Sequence, residues 1–271
     1  MKLVAFLLLY TFLIGLLFQS EGSTNEYLNQ SIKYKTCLEL AKKTPSEGYA
    51  SATKWFALDK GIAARHCMAV SIFYSGDNLD GASRLEILER DIPKKQFYLR
   101  SQVLAQASQA WLLAGETGRA TRLLSKSISL YPYNPEVYLD RATINIDQLK
   151  YLQALNDLDQ AITLNSNFTD AYLYRAYVKR FMKDLEGALI DLEYVLNNLP
   201  GLPLALLERG FIRKLSGDLL GARQDWEQII KQAPSSEEAG AARVRIKQLD
   251  KIALPKVDKV QHIKKDDVLE K

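Results

Sequence analysis

The sequence predicts an all-α chain of stacked helical hairpins, and three observations carry that prediction. First, the segments PEVYLDRATINIDQLKYLQALNDLDQAITLNSNF, TDAYLYRAYVKRFMKDLEGALIDLEYVLNNLPGL and PLALLERGFIRKLSGDLLGARQDWEQIIKQAPSS, beginning at residues 135, 169 and 203, align without a gap at a period of 34. Second, small residues recur at Ala142, Ala176 and Gly210, and again at Ala154, Ala188 and Ala222. Third, the register extends one period upstream: SQVLAQASQAWLLAGETGRATRLLSKSISLYPYN, from 101, places Ser108 and Ala120 at the small positions, and its Pro132 matches Pro200 and Pro234. A period in this range marks a supersecondary unit that buries its apolar face only against its neighbours.

These residues resemble the tetratricopeptide repeat (TPR), whose unit is two antiparallel helices with small residues at their crossing and a proline or turn at the end. The resemblance covers 101–236 as four repeats and implies a right-handed superhelix. Ala or Gly at the crossing lets the two backbones approach, while Leu158, Leu192 and Trp226 recur as large apolar contacts on the second helices.

The elements follow in chain order. Residues 1–22 read as a signal peptide: Lys2 precedes a charge-free apolar run from Leu3 to Phe18, with Ser20 and Gly22 as small residues before the expected cleavage point. The run is shorter than the ~20 residues a spanning helix needs, so an uncleaved anchor is the alternative. Residues 23–100 read as divergent helical hairpins, broken at Pro45, Gly61, Gly76 and Pro93. Ala82 answers Ala120 in the last of them. Residues 237–253 form a lone amphipathic helix of the kind that caps a last hairpin. Residues 254–271 are charged, lack aromatics and read as a flexible tail.

The two cysteines, Cys37 and Cys67, lie beyond the expected cleavage point, and an even pair in an exported chain points to one disulfide. His66 adjoins Cys67, which raises the question of a metal or nucleophile site. A metal needs three or four ligands, and two His with two Cys in no tight cluster supply no zinc signature. Adjacent residues on a helix point about 100° apart, so His66 is badly placed to activate Cys67. The remaining histidine, His262, falls in the tail. No catalytic residue, metal or cofactor is expected.

A polar pattern shares the period: Arg141, Arg175 and Arg209 on first helices, each followed 16 residues later by Asp157, Asp191 and Asp225 on second helices. Their joint recurrence, and their joint absence from the 101 repeat (Ala107, Leu123), favour ion pairs within repeats over a ligand-facing ladder.

With a net charge of +4 spread over interspersed basic and acidic residues, the chain shows no nucleic-acid footprint. In the TPR family the first helices line a concave surface. Carried over by position, the matching residues are Leu139, Thr143, Ile146 and Asp147, then Leu173, Tyr177, Arg180 and Phe181, then Leu207, Phe211, Lys214 and Leu215. The resemblance thus implies an apolar, aromatic groove for a protein or peptide partner. Chaperone-binding members use Lys and Asn there to clamp a terminal carboxylate. Here Leu holds the fifth positions and Thr, Tyr and Phe the ninth, so a segment with apolar anchors fits better. The chain's own cap or tail, or self-association with a second copy, are the alternative occupants. The expectation is a non-enzymatic scaffold exported to the bacterial periplasm. The alternatives are a membrane-anchored envelope assembly factor, an enzyme, or a lumenal protein of a secretory pathway, where Asn29 and Asn167 would accept glycans.

Overall fold

The computed structural model describes residues 32–251, and every regular element among them is an α-helix. The expected signal peptide, the tail, His262 and Asn29 lie outside the described residues. Within them, no helix is long and apolar enough to cross a membrane. The chain divides into two compact units between Ile144 and Asn145, and the periodic stretch 101–236 contributes to both.

The first unit contains α1 (32–43), α2 (Pro45–Asp59), α3 (Ile62–Tyr74), α4 (Asn78–Asp91), α5 (Phe97–Leu113), α6 (Thr117–Leu130) and most of α7 (Pro135–Asp147). Its breaks have local causes. Pro45 opens α2, where its missing N–H costs nothing. Gly76 adopts φ 98°, and Asp77 then caps α4 by accepting from the Asp80 amide. Leu85, Leu104 and Leu124 are fully buried around Ala82, Ala107 and Ala120, with Trp55 and Trp111 closing the core.

The second unit holds α8 (Tyr151–Leu164), α9 (Thr169–Phe181), α10 (Leu185–Asn198), α11 (Pro203–Leu215), α12 (Leu219–Gln232) and α13 (Glu237–Lys251). Asp184 and Asp218 cap α10 and α12 by accepting from the Gly187 and Gly221 amides at 2.9 and 2.8 Å. Leu192, Val195, Leu206, Ile212, Trp226 and Ile229 form the core. A β-carbon added at Gly210 would lie 2.5 Å from Trp226 Nε1. The smallest residue of that register therefore stands opposite the largest, and α11 meets α12 through the indole.

The turn between the two helices of each hairpin also keeps the period. Gly115, Leu149, Lys183 and Gly217 all have positive φ, at 85°, 59°, 66° and 88°. Two repeats thus hold side chains in a conformation that suits glycine better.

Candidate functional site

The sequence singled out three places, and the structure gives each a distinct character. Cys37 and Cys67 are joined, with Cα atoms 6.1 Å apart, and the bond ties α1 to α3. His66 is 3 % exposed. The Tyr34 hydroxyl bonds its Nδ1, and its Nε2 lies 2.6 Å from Gln106 Oε1. In the tautomer this arrangement selects, Tyr34 donates to Nδ1 and Nε2–H donates to the glutamine. Burial pulls the imidazole pKa down to about 4 against the opposing bond from Gln106, so the ring is neutral at pH 7. The Tyr34 phenol is pushed up to about 12 by burial. Both ring nitrogens are engaged in holding α1, α3 and α5 together. No group of three or more metal-ligating side chains occurs among the described residues.

The polar ladder lies between paired helices. Arg175 donates Nε and Nη2 to the two oxygens of Asp191 at 2.9 and 2.7 Å, and its Nη1 to Asp159 on the preceding helix at 2.8 Å. Hydrogen bonds to Asp191 come first among the causes that raise the Arg175 pKa. Arg209 grips Asp225 in the same two-pronged way, at 3.1 and 2.7 Å. Arg141 lies in the first unit, where its Nη1 donates to Ser125 Oγ. Asp157 lies in the second and accepts from Asn145 Nδ2 at 3.2 Å.

Sequence reasoning missed a further donor to each aspartate. Asn145, Lys179 and Arg213 stand four residues after the arginines and reach Asp157, Asp191 and Asp225; the Lys179 and Arg213 contacts are 2.8 Å. Residues four apart share a helix face, and these three recur at the same period, so the signal was present. Asp191 and Asp225 are almost wholly buried.

The residues matched to a concave lining divide by burial. Ile146 and Leu173 are 8 % and 9 % exposed, and Leu173 packs into the core of the second unit. Buried to this degree, they offer little surface to a partner. Leu139 and Thr143, in the first unit, are half-buried, and Leu207 is half-buried against the second core. Asp147 is exposed and Lys214 half-buried. Phe181 and Leu215 expose 42 % and 52 % of their surface.

Tyr177, Phe181 and Phe211 converge on Arg180. Its guanidinium carbon lies 4.9, 4.2 and 4.8 Å from the three ring centroids, and its Nε donates to Glu208. Arg180 is therefore already paired and stacked, not a free groove cation. Tyr151 stacks on Phe181 at 5.0 Å and 11°, extending the strip onto α8. Burial, opposed by the Arg180 charge, raises the Tyr177 pKa. From α13, Arg245 lies 5.5 Å over Phe211, and its Nε is buried without a hydrogen-bond partner. The arrangement is a preorganised aromatic surface with two guanidinium groups and one carboxylate. It can grip apolar or aromatic side chains and offers no nucleophile paired with a base.

No protein-family model and no curated protein matches the sequence. Solved structures match the fold. One titled for functional characterisation of pilF of Pseudomonas aeruginosa is 14% identical, with a TM-score of 0.66 over 80% of this chain and 99% of that one. YrrB, titled a TPR protein with an unusual peptide-binding site, is 16% identical, with a TM-score of 0.58 over 71% and 97%. MamA of Desulfovibrio magneticus RS-1 is 15% identical, with a TM-score of 0.58 over 65% and 97%.

Proposed function

We propose that this chain, whose fold is that of the tetratricopeptide repeat, is a non-catalytic scaffold that captures a protein segment on the aromatic strip of its second unit. The observation that carries the reading is the cluster of Tyr177, Phe181 and Phe211 around Arg180, with Phe181 and Leu215 open to solvent. Large, rigid rings supply most of the energy at interfaces. Here they are fixed before a partner arrives, which lowers the ordering cost of binding. The segment that fits carries aliphatic or aromatic anchors, and the surplus guanidinium of Arg245 favours a carboxylate beside them. The peptide-binding site named for YrrB supports the general class of partner.

Export to the periplasm belongs to the same proposal. It is supported by the apolar segment within residues 1–22 and fits the buried Cys37–Cys67 bond. A photo-crosslinking residue at Leu215, in cells, tests the scaffold reading. One dominant adduct that disappears on Phe181→Ala, in a chain of unchanged melting temperature, supports it. Adducts that persist unchanged overturn it. N-terminal sequencing of the fractionated protein tests export: an intact Met1 in the membrane fraction overturns cleavage.

A further inference from the structure

We propose that the first unit holds a separate site, remote in purpose from the aromatic strip, that takes the cationic side chain of a partner's lysine or arginine. A cleft of about 280 Å³ opens among α1, α3, α5 and α7. It falls just short of the ~300–1,000 Å³ of small-molecule sites, which suits one long side chain. Its floor is apolar, with Leu38, Val70 and Phe73 available to cover an aliphatic stem. Its polar wall comes from two helices. Gln106 and Gln109 lie on one face of α5, and Glu136 and Asp140, four residues apart, lie on one face of α7.

The hydrogen bonds leave acceptors on Gln109 and Asp140, while Gln106 spends its Oε1 on His66. Gln109 donates Nε2 to Asp140 Oδ2 at 3.2 Å, which leaves Gln109 Oε1 and Asp140 Oδ1 free to receive a donor. The side chain of Gln106 is fixed from behind by neutral His66, so this wall is rigid. Asp140 and Glu136 oppose one another: burial first, and then the Glu136 charge, raise the Asp140 pKa against the Gln109 bond. Among the described residues no cation pairs with either carboxylate. Lys42 at the rim brings one positive charge against these two negative ones. The cleft is thus short of one cation, and a charged donor entering it gains charge-assisted bonds with acceptors already in place. The negative charge of the wall repels an anion.

The test uses the full chain, labelled with ¹⁵N, and follows the side-chain amide signals of Gln106 and Gln109. The probe is Nα-acetyl-lysine N-methylamide at millimolar concentration, with the norleucine analogue as an uncharged equivalent. The lysine probe is expected to shift both amides and the norleucine probe neither. Glu136→Gln with Asp140→Asn should weaken the lysine response by about tenfold or more. Glu136→Gln alone, at an exposed position, repeats the test if the double variant unfolds. Equal shifts from both probes, or undiminished binding by the variants, overturn the proposal. So does a response that emerges only after Lys42→Ala, which would make the chain's own lysine the occupant. Phe181→Ala should leave the lysine response unchanged, so failure of the strip and failure of the cleft are read separately.

Discussion

Asp191 is the least exposed charged residue among the described residues of the second unit, and its removal makes a sharp test. Its side chain is 2% exposed and receives Arg175 at 2.9 and 2.7 Å together with Lys179 at 2.8 Å. Asp191→Ala leaves two cations facing a dry gap. Arg175 still has Asp159, but Lys179 keeps only the Gly187 carbonyl at 3.2 Å. Breaking a buried pair in this way costs about 3–5 kcal/mol. Arg175→Ala should cost less, about 2 kcal/mol, because Lys179 still neutralises the aspartate. The charge swap Arg175→Glu with Asp191→Arg should recover little. A carboxylate at 175 would meet Asp159, and a guanidinium at 191 would meet Lys179. The assay is urea unfolding followed by Trp226 fluorescence, in a background with Trp55 and Trp111 replaced by Phe, since Trp226 is the tryptophan of the second unit. A loss below about 1 kcal/mol for Asp191→Ala, or full recovery in the swap, refutes the two-donor account.

Gly210→Ala should destabilise by about 1–3 kcal/mol through collision with Trp226, and adding Trp226→Leu should restore most of it by recreating the Ala–Leu crossing of Ala176 and Leu192; thermal melts of the two variants decide. His66 gives a pH signature: its folded pKa of about 4 lies below the ordinary 6.5, so the unfolded chain binds the extra proton. Stability is full above about pH 6.5, falls as pH drops towards 4 by about 3 kcal/mol, and a His66→Gln variant should lose that part of the slope. Reducing Cys37–Cys67, which encloses a separation of 30 residues, should lower stability by about 2–4 kcal/mol and speed amide exchange in α1 before α5, measurable by hydrogen-exchange mass spectrometry.

What the sequence determined by itself is the part of the molecule set by fixed chain separation. The 34-residue period, the small residues at the crossings, and the arginine–aspartate partners 16 residues apart are properties of one hairpin, whose two helices must meet wherever the chain places it. The breaks at Pro45, Gly61 and Gly76 were legible for the same reason, since backbone conformation there depends on the local residue. Only the tertiary structure decided what happens between hairpins. Leu173 shares its repeat position with Leu207, yet it sinks into the core while Leu207 stays half-buried. Arg180 reads as a groove cation until Glu208, 28 residues away, and three rings enclose it. The cleft beside Asp140 needs α1, α3, α5 and α7 at once, with Gln106 held by a histidine 40 residues earlier. A periodic sequence specifies which neighbours each hairpin has. The rotation and spacing at which they pack, which no local propensity encodes, select the side chains that remain available to a partner.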